Sequence, residues 1–313
     1  MMWIDNHCDA LTKIYLNPEL EFRGGKGLDV TLERLGHADV RLQCFAIYMP
    51  ASIAEPRMEH VLAYIRLFHV RILCHPEMVF VRTGKDLELA FRERRTGAML
   101  TLEGADALQG NLAHVETLYR LGVRCLGLTW NFANWAADGI QEPRQAALSL
   151  KGRQLVDLCN ETGMILDVSH LSEPGFWELC ERTRKPFLAS HANAYTLCPH
   201  PRNLKDDQIR ALIKAGGLMG LAFVPDFLNA DGDAGVSDLL KHIDHIAALG
   251  GERVLCFGSD FDGIDNWVRD LEHPGKLSSL REILLKHYPN EFVERLCWKN
   301  AYQFYLSQLP AGE

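Results

Sequence analysis

Met2-Trp3-Ile4-Asp5-Asn6-His7-Cys8-Asp9 governs how the rest of the chain is read. It is an apolar-led run that ends in acids and an imidazole. As a β-strand it sends alternate side chains to opposite faces, so Asp5, His7 and Asp9 share one face and Cys8 takes the other. Three such groups make a poor core and a good half of a metal site. A single His-x-Asp is a weak signal; repetition gives it weight. The same design closes Ala98-Met-Leu-Thr-Leu-Glu103, Ile165-Leu-Asp-Val-Ser-His170, Phe187-Leu-Ala-Ser-His191 and Val254-Leu-Cys-Phe-Gly-Ser-Asp260.

Working outward, eight short apolar runs read as strands, at residues 2–8, 40–48, 98–103, 124–130, 164–169, 187–191, 217–223 and 253–259. Helical-period segments separate most of them, at 55–74, 85–95, 112–121, 151–162, 173–182, 206–215 and 236–249, and helices at 280–287 and 291–307 close the chain. This alternation predicts an α/β fold, a (β/α)8 TIM-like barrel. A doubly wound open sheet is the alternative, but no G-x-G-x-x-G turn follows the first strand. Gly97, Gly122, Gly163, Gly216-Gly217 and Gly250-Gly251 each precede a predicted strand, where a helix end wants positive φ. Insertions at 12–27, 131–149, 192–205, 225–235 and 261–278 become loops on the C-terminal face of the barrel, where active sites sit. No repeat, linker or low-complexity tract divides residues 1–313, so one barrel domain is expected.

Composition excludes several classes. The 313 residues are 47% hydrophobic and 24% charged, with a formal charge of −8. No basic tract offers a phosphate-backbone footprint; Arg92, Arg94 and Arg95 read as a solvated helix face, so no nucleic-acid partner is expected. No run of about 18 uncharged apolar residues suggests a membrane span. A signal peptide is not expected either, since its removal would take His7 and Asp9 with it. Nine scattered cysteines without a C-x-x-C pair point to reduced thiols and a cytoplasmic setting.

His7, Asp9, Glu103, His170, His191 and Asp260 all fall at one end of the predicted barrel. Six such groups, buried together, need cations among them. Three imidazoles with three carboxylates suit borderline divalent ions, zinc above all. Each also has an ordinary reading: His170 or His191 as a hydrogen-bonded core histidine, Glu103 as a helix cap, Asp260 as a turn residue of Asp260-Phe-Asp-Gly263. The coincidence of all six outweighs these. Asp262 is left as a turn or supporting residue. His200 is a weaker candidate for substrate contact. His37, His60, His69, His75, His114, His242 and His245 are assigned to packing or solvent.

Asp5-x-His7-x-Asp9, Leu102-Glu103-Gly104, Asp167-Val-Ser-His170, Ser190-His191, Pro201-Arg202-Asn203 and Gly258-Ser-Asp260-Phe-Asp262-Gly263 together resemble the membrane (renal) dipeptidase family of zinc peptidases, over about residues 3–305. The resemblance implies a soluble bacterial member with a metal-dependent hydrolase barrel of the amidohydrolase-like type. It implies two Zn2+ per subunit, with Glu103 as the bridge. His7, Asp9 and Asp260 would complete one zinc site, and His170 and His191 the other. The implied substrate is a free dipeptide, L-D dipeptides included, and a homodimer is allowed for.

Two divalent ions about 3.5–4 Å apart hold a shared water and make it hydroxide near neutral pH. That metal-bridging hydroxide would attack the amide carbonyl. Asp260 can take the water's proton and pass it to the leaving amine, as the resemblance suggests. Arg202 is the candidate for the substrate carboxylate, which its guanidinium fork matches. The other reading of Arg202 pairs it with Asp206 or Asp207. One departure stands out. Renal-type members carry a histidine after the fourth strand that helps bind the substrate or the tetrahedral intermediate; Leu128-Thr-Trp130-Asn131 puts Trp130 there. Indole donates but cannot take up a proton. Trp130 and Asn131 are therefore read as substrate-binding, Asn131 by a neutral hydrogen bond, with Phe132, Trp135 and Phe227 as candidate walls. Two other functions remain open: an amidohydrolase-type reaction on a cyclic amide or lactone, and a non-catalytic metal-binding scaffold.

Overall fold

Val40–Tyr48, nearly all buried, is the longest strand of the sheet. The computed structural model describes residues 2–312. Its strands are β1 (Trp3–Asp5), β2 (Val40–Tyr48), β3 (Met78–Phe80), β4 (Thr96–Glu103), β5 (Val123–Gly127), β6 (Ile165–Asp167), β7 (Leu188–Ala189), β8 (Leu218–Leu221) and β9 (Leu255–Phe257). Every pairing is parallel, and the order β2-β1-β9-β8-β7-β6-β5-β4 closes because β2 also pairs β4. Eight strands thus form the predicted closed barrel.

β3 is an addition that sequence reading misses. It pairs only the start of β4, Met78↔Thr96 to Phe80↔Ala98, below the point where β5 joins at Leu100. Three residues between Pro76 and Gly84 are too few to show a period.

Both faces of the barrel strands are covered, which is why they read as continuous apolar runs. Inside, Ile4, Leu42, Cys44, Met99, Cys125 and Cys256 pack with Phe304, Tyr305 and Leu309. Phe304 and Tyr305 belong to the helix Asn300–Gln308, so the chain's last helix plugs the N-terminal end of the barrel. Tyr305 donates to Asn6 Oδ1 at 2.7 Å, which satisfies both polar tips within the plug. With one end of the barrel filled by apolar side chains, polar chemistry is confined to the other.

Several predicted boundaries move. The first strand stops at Asp5, and only Cys8 continues it, as a bridge to Phe261. Asp5 therefore does not share a face with His7 and Asp9. It turns to Ser259, accepting from its N at 2.8 Å and its Oγ at 2.6 Å. Gly97 caps no helix; it lies inside β4, where a Cβ would stand 2.7 Å from Val81 Cγ2. Gly122, by contrast, ends its helix at φ 104, as expected. Short helices at Ala10–Leu16 and Pro225–Leu228 run into or fill stretches read as loop, and one at Leu32–His37 lies where no element is predicted. The segments 55–74 and 291–307 hold helices interrupted by wider π-type turns at Phe68–Ile72 and Arg295–Lys299. Among the described residues, no helix is long and apolar enough to cross a membrane.

Candidate metal centre and active site

Parallel strands deliver their last residues to one rim, and this chain places its ionisable groups there. Glu103 ends β4; His7, His170, His191 and Asp260 lie two or three residues beyond β1, β6, β7 and β9. Asp9 precedes the helix Ala10–Leu16. His170 and Asp260 adopt left-handed backbone, at φ 69 and 66, which non-glycine residues rarely do. Two strained residues at one rim suit a site whose geometry outweighs local comfort.

The six predicted ligands converge. His7 Nε2 lies 3.2 Å from Asp9 Oδ2, 3.5 Å from Glu103 Oε2 and 3.7 Å from Asp260 Oδ1. Glu103 Oε1 lies 2.8 Å from His170 Nε2 and 3.8 Å from His191 Nε2. Glu103 therefore gives one oxygen to each side. Three overlapping sets each bring ligand atoms within metal-binding reach: His7–Asp9–Glu103, Glu103–His170–His191 and His7–His191–Asp260.

Supporting bonds orient these rings. His170 Nδ1 lies 2.7 Å from Asn131 Oδ1, and His191 Nδ1 lies 2.8 Å from Ser190 Oγ. With Nδ1–H donated outward on each ring, both Nε2 atoms present lone pairs, and they face each other at 2.9 Å. Two lone pairs and a carboxylate oxygen pointing at one spot repel unless a cation sits among them. Asp167 holds the same region from behind, accepting from the backbone N of Ser169 and of Ser190, each at 3.0 Å.

The electrostatics agree. Burial alone would push His7 down, but Glu103, Asp9 and Asp260 outweigh it and lift His7 to about 10. Burial pushes Glu103 up to about 8 and Asp260 up to about 6, with His7 holding each back. Burial, with Arg202 and His7 nearby, holds His170 and His191 well below the usual imidazole range. Carboxylates that resist ionising beside imidazoles that resist protonation are what a divalent cation would relieve. The nitrogen and oxygen donor set fits such an ion.

Above this cluster lies a cavity of about 460 Å³, lined among others by Glu103, His170, Asp260, Arg202, Tyr48 and Trp130. Arg202 is 4% exposed, and its Nη2 donates to His191 O at 3.2 Å. Its guanidinium stands 5.4 Å from the Phe227 ring, and its Nε has no partner among the described residues. The alternative pairing with the next helix is not found. Asp206 accepts from Thr196 and His245 instead, and Asp207 from Gln208 N.

Other predicted residues arrive with different tasks. Asn131 lines the cavity, but its side-chain oxygen is turned to His170. Trp130 stands between Tyr48, ring centroids 5.3 Å apart, and His170, 6.0 Å away. Phe227 is a wall and His200 lines the cavity beside it. Trp135 is not a wall: its Nε1 donates to Ala105 O. Phe132 is 54% exposed and outside the lining. Asp262 is a support, accepting from the backbone N of Asp29 and Val30 at 2.7 and 2.9 Å and pairing with Lys13 at 3.1 Å. His242 sits in the core, where Nδ1 accepts from Ala194 N at 3.0 Å.

Sequence reading missed Tyr48 and Lys13, which also line the cavity. Tyr48 had a usable signal, since it is the last residue of β2. Lys13 had none, because the helix that carries it reads as loop.

Comparisons with known proteins agree with this geometry. The sequence model of the membrane dipeptidase family, peptidase family M19, matches residues 1–305. An uncharacterized protein in the pqqA 5′ region of Klebsiella pneumoniae is 32% identical over 231 residues, 70% of this chain and 84% of its own length. The fold is similar to that of dipeptidase AC, a metallo peptidase of family M19, with a TM-score of 0.92 and 26% identity over 100% of this chain and 99% of that one. It is also similar to a metallo peptidase from Rhodobacter sphaeroides liganded with a phosphinate mimic of the dipeptide L-Ala-D-Ala, with a TM-score of 0.91 and 26% identity over 99% of each chain. A barrel whose polar rim gathers three histidines and three carboxylates, matched by the family over nearly its whole length, belongs to the membrane dipeptidase family, M19, and is a metallo-dipeptidase, a hydrolase of peptide bonds.

Proposed function

We propose that the chain is a zinc-dependent dipeptidase acting on free dipeptides, L-D dipeptides included. His7, Asp9 and Asp260 would hold one zinc ion, His170 and His191 a second, and Glu103 would bridge the two. The division of Glu103 carries this reading: Oε2 faces His7 at 3.5 Å while Oε1 faces His170 at 2.8 Å. When bound, two zinc ions supply a water made nucleophilic at neutral pH and a Lewis acid for the scissile carbonyl.

The chain's own residues do the rest. Arg202 binds the substrate's α-carboxylate. Its buried position makes a charge-assisted pair strong, and Phe227 beneath it limits how the guanidinium tilts. A fixed distance from this clamp to the carboxylate cluster selects dipeptides, since a longer chain puts its terminal carboxylate elsewhere. Asp260 takes the proton of the attacking water and passes it to the leaving nitrogen as the C–N bond breaks. Asn131 and Ser190 hold His170 and His191 in the tautomer that offers Nε2. Trp130, beside His170, forms an apolar wall in place of an ionisable donor.

The mimic of L-Ala-D-Ala bound by the Rhodobacter protein supports a D residue at the substrate's C-terminal position. The nine unpaired cysteines support a reducing, cytoplasmic setting. The test is metal analysis of the purified protein, followed by a panel of L-L and L-D dipeptides with N-acylated and cyclic controls. We expect zinc at two per chain and chelator-sensitive hydrolysis of free dipeptides only. Turnover of a cyclic amide with none of any dipeptide would replace this reading with another amidohydrolase chemistry.

A further inference from the structure

β2 and β4 run side by side in register, from Leu42↔Gly97 through Cys44↔Met99 to Tyr48↔Glu103. Leu42, Cys44 and Met99 belong to the packed interior of the barrel. Side chains alternate along a strand, so Tyr48 and Glu103 continue those same inner rows and leave the sheet on one side at one height. Tyr48 therefore rises next to the proposed bridging carboxylate, and both line the cavity.

The phenol is held but uncommitted. Its ring packs 5.3 Å from that of Trp130. Among the described residues no hydrogen bond reaches its hydroxyl. Two neighbouring cavity side chains are already engaged: Thr12 Oγ1 donates to Asp9 and Lys13 pairs with Asp262. A phenol keeps its proton at neutral pH, and burial with Glu103 and Asp9 nearby only raises it further, so the hydroxyl is a donor.

We propose that Tyr48 is a further catalytic residue, its hydroxyl donating a hydrogen bond to the scissile carbonyl oxygen as that oxygen becomes anionic. The assignment rests on the dipeptidase reading above. Two features select the carbonyl over the substrate's ends. Arg202 occupies the His191 side of the cavity and takes the carboxylate. Tyr48 stands beside Glu103, over which the reacting carbon must lie. No proton changes owner at Tyr48. Water adds to the carbonyl carbon, the C–N bond breaks, the water's proton reaches the amine by way of Asp260, and the oxygen returns to a carboxylate. Trp130 packs against the phenol and limits its swing.

Tyr48→Phe removes one oxygen and keeps the ring. We expect kcat to fall by about 100-fold, the loss typical of one oxyanion donor, with KM unchanged. A phosphinate dipeptide mimic, whose tetrahedral oxygen copies the reacting one, should lose affinity by the same factor. A reduced-amide dipeptide (CH2–NH in place of CO–NH) has no such oxygen and should bind as before. Zinc content should stay at the wild-type value. An unchanged kcat, a raised KM at unchanged kcat, equal weakening of both inhibitors, or loss of zinc would each overturn the assignment. Wild-type protein that hydrolyses no dipeptide refutes the underlying function instead, so the two failures are distinct.

Discussion

Arg202→Met separates binding from stability, because the two should move in opposite directions. Arg202 is 4% exposed, and among the described residues its Nε has no partner and its guanidinium makes a single hydrogen bond, to His191 O at 3.2 Å. Burial lowers it to about 10, with Asp260 and then Glu103 opposing that fall. A buried cation with so few partners adds little to the stability of the free protein, and an apolar side chain of similar length is often neutral or stabilising there. We therefore expect the melting temperature of Arg202→Met to match or exceed wild type. Substrate binding reverses the sign. Losing a buried charge-assisted pair costs about 3–5 kcal/mol, because the partner charge is left uncompensated. At about 1.36 kcal/mol per decade this is a loss of ~10²–10⁴ in kcat/KM. The assay compares a dipeptide with its C-terminal amide in both proteins. Wild type should discriminate strongly against the amide, and Arg202→Met should treat the two alike. If the variant loses the same factor on the amide as on the acid, Arg202 does not bind the carboxylate and the argument for dipeptide length fails with it.

Three further outcomes follow from the cluster. Glu103→Gln removes one anionic oxygen from between the two histidine sets, and bound zinc should drop from two per chain to one or none by elemental analysis; full occupancy would show that Glu103 is no bridge. Asn131→Leu takes the acceptor from His170 Nδ1, 2.7 Å away, and should weaken uptake of one zinc by ~10–100-fold in a competition titration, with Asn131→Asp restoring it. Zinc uptake should also release protons. In the metal-free protein the neighbouring carboxylates lift His7 while burial raises Glu103, so this coupled pair together holds at least one proton at pH 7. Metal takes only the deprotonated forms, so calorimetry in buffers of different ionisation enthalpy should show about one to two protons displaced at pH 7, with affinity rising as pH rises. Proton-neutral uptake would contradict the charge arrangement.

What the sequence made legible follows from chain geometry. A barrel strand is covered on both sides, so its body must be apolar, and a polar residue at its end has no packing reason to be there. Glu103, His170, His191 and Asp260 stood out for that reason. The same rule shows why the eight barrel strands were visible and β3 was not. β3 borders only Thr96–Ala98 and needs three residues to do so. The helices Ala10–Leu16 and Leu32–His37 are too short, at two turns or less, for apolar spacing to separate them from loop.

The site's supporting residues were hidden for a different reason. Strand alternation assumes a strand, and β1 lasts three residues. Past Asp5 the backbone leaves the ladder. The period of two then ends, and Asp5 is free to turn to Ser259 while His7 and Asp9 turn to Glu103. The bond from Asn131 to His170 was hidden in the same way. Nothing in Trp130-Asn131 says that an amide oxygen will meet a histidine 39 residues later, since that contact depends on a loop path and on His170 adopting positive φ. Ligands that end strands can be found by counting. Residues that aim those ligands lie where the chain is irregular, so their roles emerge only once the loops are placed. Tyr48 marks the boundary between the two. It ends its strand as Glu103 does, in the same register and on the same inner face, and the rule that found the carboxylate applies equally to the phenol.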